Sequence, residues 1–582
     1  ENRHTGNPLP SSGPEDGVQV EGLSRMGIGN WLLNGVEKAG NRLPDPVFIF
    51  VWLILGLMGF SVFASAQGWQ ALNPITGDVI VAQSLFSGEN LRRLFEDMPA
   101  TLTGFAPLGY VLVVMLGAGV AERTGLFSSA MKAGVSKAPR ALLTPIVILV
   151  AIVANHAADA AYVVLIPLAA AIYAAAGRHP IAGIAAGFAG VSGGFSANLF
   201  PGQLDALLLG LTEPAAQLVD PSFSINIAGN WWFIAGMTLL FVPVGWWVTD
   251  KIVEPRLGTW TPIAGAPIED AEKPLESRER AGLVWAGLAA LLVVGLFAWL
   301  VLSPSAPLID PEGETQAARL QPFYHSLVAA FFLMFLLTGT AYGVVARTIK
   351  SHRDIVRMTS QAMADMGPYI VLAFVAAHFV ALFNWSGLGP IMAVAGAEQI
   401  RLLSGIEPGS TEPIGAAQLF ILLVSIVIVA ALVNIFVGSA SAKWAFLAPI
   451  LVPMLMLVGV SPYMTTAAYR MGDSTTNIIT PLMVYFPLIL TFAQRWVKEF
   501  GLGSLMAVML PYSIAFSIAG AILTGLWAAA QIPLGPGESV RYQPPPPVEA
   551  VQPEALTGPS APAEAAAAAA AGPPLQTVPA AR

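Results

Sequence analysis

The chain has 582 residues, 55% of them hydrophobic and 11% charged, with a net charge of −8. A soluble domain carries about 25% charged residues, so these charges cannot cover a soluble surface of this size. There is no cysteine, which excludes disulfides and thiolate metal sites. In chain order, residues 1–22 are polar and rich in Gly, Pro and Glu, and read as disordered. No long apolar stretch follows a basic start in the first 45 residues, so no signal peptide is expected. Residues 23–43 set Trp31, Leu32, Leu33 and Val36 among Arg25, Lys38 and Arg42, a mixture suited to a helix lying in lipid headgroups. Apolar segments near 46–67, 104–121, 181–211, 231–250, 282–303, 323–346, 368–385, 463–494 and 505–529 each suit one crossing of a bilayer core about 30 Å thick. The expected class is therefore an all-α polytopic membrane protein. Its transmembrane domain covers 46–530, after an N-terminal segment 1–45, and a Pro/Ala-rich tail 531–582 reads as disordered.

Two stretches do not fit a single crossing. In 141–177 two apolar arms of about 14–18 residues flank the polar kink Asn155–Asp159, and the shorter arm reaches only ~21 Å. Lys132, Lys137 and Arg140 precede it; Arg178 and His179 follow it. Basic residues on both flanks place both ends on the cytoplasmic side, so the segment is expected to dip in and return. With the N-terminus inside, loops 251–281 and 347–367 are basic and cytoplasmic. Loops 201–230, 304–322 and 386–413 are outside and carry at most Arg319 and Arg401. The C-terminus then lies outside. Nine crossings plus two re-entrant hairpins obey the charge rule throughout.

The second hairpin, 414–460, has its tip at Asn434–Trp444 and enters from the opposite side. Each hairpin is followed by a crossing interrupted by polar residues, Ser192–Asn198 in the first and Gly472–Asn477 in the second. Asn155 to Asn198 and Asn434 to Asn477 are both 43 positions. The cores, about 141–212 and 414–494, thus read as an inverted repeat with broken helices at the midplane. Irregular backbone survives in hydrocarbon only around a polar cavity or an ion, and the layout is that of a secondary transporter.

Asp473 is the sharpest chemical candidate. A mid-membrane carboxylate costs at least ~2.5 kcal/mol and must hold a cation or a partner. Asp473, Asn477 and Asn434 form a candidate Na⁺ site, because a hard cation takes oxygen ligands. The plain alternative is an i, i+3 pair between Asp473 and Arg470, and proton binding by Asp473 is a third reading. Arg470 suits a carboxylate. Trp444 offers a face for an aromatic ligand or ordinary packing, and Lys443 is expected to snorkel outward. Asn155 and Asn198 make a possible second cation site, weaker because Gly194 stands where the repeat puts Asp473. Asp159 and Asp205 are the other deep acids, Asp205 reading as a carboxylate at the outer mouth. His156 reads as structural. No H-E-x-x-H, P-loop or G-x-S-x-G is present, so an enzyme or ATP-driven pump is not expected. The rivals are a channel and, well behind it, an aspartyl hydrolase using Asp159 and Asp473. No organic cofactor or nucleic acid is implied.

The stretch NIFVGSASAKWAFLAPILVPMLMLVGVSPYMTTAAYRMGDSTTNIITPL, with SANLFPGQLDALLLGLTEP, resembles the AbgT family of p-aminobenzoyl-glutamate transporters, over residues 23–530. The resemblance implies a homodimer in the bacterial inner membrane, with nine crossings and two hairpins per subunit, and coupling to a Na⁺ or H⁺ gradient. Family substrate-path positions fall on Asp205, Ser441, Trp444, Pro462, Arg470, Asp473 and Pro481, and sodium-associated ones on Asn434, Asp473 and Asn477. The implied cargo is p-aminobenzoyl-glutamate or related aromatic carboxylates, or exported sulfonamide-like antimetabolites.

Overall fold

The computed structural model describes residues 45–542 apart from 136–137, 158–160, 262–274, 304, 314–318, 408–412, 481 and 484. The expected headgroup helix at 23–43, Asp159, Pro481 and the chain beyond 542 lie outside the described residues. Among the described residues the fold is helical, with one two-stranded antiparallel sheet, Gln70–Leu72 against Val79–Val81. The class is the all-α polytopic membrane fold that composition demands.

Nine described helices are long and apolar enough to cross a bilayer. Seven match expected crossings: Pro46–Ala66, Ala106–Arg123, Trp231–Leu257, Ser277–Leu302, Gln321–Ala346, Gly367–Trp385 and Leu502–Ala529. The other two are the arms of the second hairpin, Ala416–Phe436 and Ala440–Leu457. The two remaining expected crossings are each split into shorter helices, as the polar interruptions require.

The paired halves are built as follows. In the first, α1 (Leu143–Val153) and α2 (Ile166–Ala175) are the hairpin arms, and α3 (Pro180–Phe188) and α4 (Gln203–Ala216) are the halves of the broken helix. In the second, α5 (Ala416–Phe436) and α6 (Ala440–Leu457) are the arms, and α7 (Pro462–Thr475) and α8 (Phe486–Gln494) the halves. At 1.5 Å per residue α1 and α2 are only about 15–17 Å long, too short to cross, whereas α5 and α6 reach roughly 27–32 Å. The arms of the second hairpin splay apart. α5 packs on α7 and on Leu502–Ala529, while α6 packs on α4 and on Leu388–Leu403.

Local chemistry sets the breaks. α3 starts with Pro180 in its first turn and the His179 ring accepting from the Ile181 amide. It ends in the π turn Ala189–Gly193. Gly194 follows, where a Cβ would stand 2.6 Å from the Gly190 carbonyl oxygen and 2.7 Å from Ile152. α7 starts at Pro462 with Ser461 Oγ accepting from the Met464 amide at 3.1 Å. The second break begins later than expected. Gly472–Thr475 form the last turn of α7, and the non-helical stretch starts at Thr476. α7 can run on because Gly472 has no Cβ: one there would lie 2.1 Å from the Val427 carbonyl oxygen of α5.

Three other expectations change. The outer loop 386–413 contains the helix Leu388–Leu403, whose Leu388, Ile391, Ala393 and Ala397 are buried. Its Arg401 is not a loop charge. It is buried and donates to the Leu457 carbonyl at the C-terminus of α6 (2.5 Å), where a cation suits the helix dipole. The tail, expected from 531, is packed through Tyr542. Ser461 donates to the Val540 carbonyl, and Asn226 donates to the Pro536 carbonyl at 2.9 Å. The basic flank at Arg178 is also paired rather than free: its guanidinium binds Asp250 (2.6 Å) and Glu254 on the end of Trp231–Leu257.

Candidate functional site

The two breaks meet. Ser474 Oγ donates to the Gly193 carbonyl at 2.7 Å and accepts from the Ser196 amide at 3.2 Å. Backbone groups freed by one broken helix are therefore satisfied by a hydroxyl of the other, which is what unwound backbone in hydrocarbon requires.

On one side of this junction lies an ion pair that the sequence did not reveal. Arg470 Nη1 donates to Asp205 Oδ1 at 2.7 Å, and both groups are buried. Asp205 is not a loop carboxylate. It sits in the first turn of α4, and its other oxygen accepts from the Gly202 amide at 2.9 Å, capping that helix. One carboxylate thus starts α4 and anchors α7 to it. Arg470 does not pair with Asp473, so the i, i+3 reading is overturned. Only one face of the guanidinium is used: Arg470 Nε is buried without a hydrogen-bond partner.

On the other side lies the Asp473 cluster. Lys443 does not snorkel outward. It is buried, and its Nζ lies 2.5 Å from Asp473 Oδ1 and donates to Asn434 Oδ1. The Asn434 amide nitrogen donates to the Asp473 carbonyl (2.7 Å), Thr476 Oγ1 (2.9 Å) and Asn477 Oδ1 (2.8 Å). Tyr469 OH adds a bond to Asp473 Oδ1 at 3.2 Å. Asn434, Asp473 and Asn477 are thus brought together as expected, but Lys443 already engages Asp473 Oδ1 and Asn434 Oδ1, two of the oxygens a Na⁺ ion would use.

A cavity of about 250 Å³ opens beside the Arg470–Asp205 pair. Asn155, His156, Ser196, Asn198 and Gln203 line its first-repeat side, with Val111, Met115, Met366 and Tyr369 opposite. Ser196 Oγ and Gln203 Oε1 are buried without partners, as is Arg470 Nε. Asn155 donates to the Gly194 carbonyl (3.2 Å) and Asn198 to the Ile152 carbonyl (3.3 Å). Gly194 brings no carboxylate to this pair. The His156 ring packs on Gly202, where a Cβ would meet it at 2.3 Å.

Of the expected substrate-path residues, Asp205 and Arg470 line the cavity. Trp444 does not. It is fully buried, stacked on Tyr469 with centroids 4.3 Å apart, and donates to Thr212 Oγ1 (3.0 Å) and the Leu208 carbonyl. Ser441 lies near Ser439 (3.2 Å between hydroxyls), and Pro462 is the buried first residue of α7. Ser196, Gln203 and Tyr369 were missed. Ser196 was legible as part of the first break, but Tyr369 comes from a helix with no polar interruption to mark it.

The model of the AbgT putative transporter family matches residues 31–542. The chain belongs to the AbgT transporter family. It is 36% identical over 506 residues to the p-aminobenzoyl-glutamate transport protein of Escherichia coli (strain K12), covering 87% of this chain and 96% of that protein. Two solved AbgT-family structures are similar. The YdaH transporter of Alcanivorax borkumensis gives a TM-score of 0.77 at 41% identity, covering 85% of this chain and 100% of the other. MtrF of Neisseria gonorrhoeae, described as illuminating a class of antimetabolite efflux pumps, gives 0.78 at 39%, covering 85% and 97%. An AbgT-family chain with this fold is a multi-pass membrane transporter and not an enzyme.

Proposed function

We propose that this transporter is a secondary carrier of p-aminobenzoyl-glutamate or related aromatic carboxylates, sulfonamide-like antimetabolites among them, across the bacterial inner membrane. The driving force is a Na⁺ or H⁺ gradient acting at the Asn434–Asp473 cluster. The reading rests chiefly on one observation: Arg470, Ser196 and Gln203, which carry the buried unpartnered atoms Nε, Oγ and Oε1, all line one largely apolar cavity of about 250 Å³. Such orphans cost about 1–3 kcal/mol each unless something bonds them. A p-aminobenzoyl-glutamate matches them chemically. A carboxylate suits the free edge of the Arg470 guanidinium, the aromatic amine can donate to Gln203, and the ring suits the apolar wall beside Tyr369. In this reading the N-terminus is cytoplasmic, the C-terminus is periplasmic, and the protein works as a homodimer.

The test is counterflow in reconstituted vesicles. Saturable, gradient-driven exchange of labelled p-aminobenzoyl-glutamate is expected. Unsaturable flux with single-channel steps would show a passive channel instead.

A further inference from the structure

We propose that the Lys443 ammonium is the resident cation of the Asn434–Asp473 site, so that an external monovalent cation such as Na⁺ binds there only by displacing it. The inference rests on the reading of that cluster as the coupling site, and it names the residue that sets which ion can couple.

The geometry is that of a cation-binding shell filled by a side chain. Asp473 lies in the last turn of α7, where the helix dipole and unpaired carbonyls already make the surroundings negative. A carboxylate there needs a positive partner. Lys443 supplies it from the first turn of α6, reaching Asp473 Oδ1 at 2.5 Å and Asn434 Oδ1 at the end of α5. Three elements are thus closed on one ammonium. All of these groups are buried. Two further oxygens of the shell are engaged as well: Asn477 Oδ1 accepts from Asn434 and the Asp473 carbonyl accepts from the same amide. Arg470, the buried cation on α7, is paired with Asp205, so Lys443 is the group that balances Asp473.

Exchange of Lys443 for Na⁺ leaves the charge of the site unchanged, one positive charge for another. It would free the α6 end from α5 and α7, because Na⁺ is not covalently tied to α6. Ion binding would then be reported mechanically as release of the hairpin tip.

The test is Na⁺-dependent thermal unfolding of full-length protein in detergent, with N-methylglucamine replacing Na⁺ at constant ionic strength. It reads binding and needs no transported solute, so it fails independently of the transport proposal. Wild type and Lys443→Arg should show a much smaller saturable Na⁺-specific shift than Lys443→Met, because Na⁺ must first displace the side-chain cation. Lys443→Met should show one of a few degrees, or be recovered folded only in Na⁺. The charge-neutral double variant Lys443→Met/Asp473→Asn should fold and lose the response. The proposal is overturned if wild type responds to Na⁺ as strongly as Lys443→Met. It is overturned equally if Lys443→Met folds without a Na⁺ response, or is unfolded with and without Na⁺ while the double variant folds.

Discussion

Asn434 donates its amide to the Asp473 carbonyl 39 residues downstream, at 2.7 Å. The first half of the molecule makes the same bond across the same separation, from Asn155 to Gly194 at 3.2 Å. Equal spacing alone is a coincidence of numbering; an equal hydrogen bond between hairpin tip and broken helix is a shared structural device. The copies differ in load. Asn434 is fully buried and bonds Thr476, Asn477 and Lys443 besides, whereas Asn155 is half-buried and its amide makes one bond. Asn434→Ala should therefore destabilise by roughly 3 kcal/mol, since several buried groups lose partners, and Asn155→Ala by about 1 kcal/mol or less. Unfolding midpoints of the two variants measure the difference; equal losses would contradict it.

Arg470 meets Asp205 through Nη1, its buried Nε has no partner, and the residue lines the cavity. Arg470→Lys keeps the charge opposite Asp205 and removes the second donor. The expected result is a folded carrier whose KM for p-aminobenzoyl-glutamate rises on the order of 10-fold, the loss of one charge-assisted hydrogen bond. Counterflow of an uncharged aromatic amide should change little. An unchanged KM for the carboxylate would mean that Arg470 serves Asp205 alone.

What the sequence disclosed follows the range of the physics involved. The hairpins, the broken helices and the convergence of Asn434, Asp473 and Asn477 were legible because lipid excludes unpaired backbone and because the repeat wrote each signal twice. The ion pairs were not. Arg470 finds Asp205 265 positions away, and the local choice of Asp473 at i, i+3 could only guess. Lys443 was expected to snorkel outward because burial of a lysine is decided by a distant carboxylate that local sequence does not show. The start of the second break was misplaced by a few residues because polar residues mark where a helix can stop. Gly472 marks instead where α5 comes close enough to let the helix continue.

Gly472 carries a further consequence. A Cβ there would stand 2.1 Å from the Val427 carbonyl oxygen and 2.9 Å from Ala430. Backbone cannot yield as a flexible side chain can. Gly472→Ala should push α7 from α5 and cost about 1–3 kcal/mol, although alanine is the better helix former. It should also weaken the Asn434–Asp473 bond that spans those two helices. A midpoint equal to or above wild type would show that propensity outweighs the contact.

The packed segment at 531–542 should respond to pH. Glu538 is half-buried, and its carboxyl is pushed up to about 7 by burial, against an ordinary 4.5, while hydrogen bonds from Asn226 and Tyr463 oppose the rise. Below pH 4.5 the group is protonated whether or not the segment is docked, and docking is strongest. Between 4.5 and 7 the docked form holds a proton that the free form has lost, so docking weakens as pH rises. Above 7 the loss levels off at roughly 3 kcal/mol. Hydrogen exchange of the 531–542 amides, compared at each pH with Glu538→Gln, measures it. The wild type should be as well protected as the variant near pH 4 and less protected at pH 8, since glutamine stays neutral. Wild-type protection that matches the variant at both pH values would show that Glu538 titrates normally and that the segment is held by its backbone bonds to Ser461 and Asn226 instead.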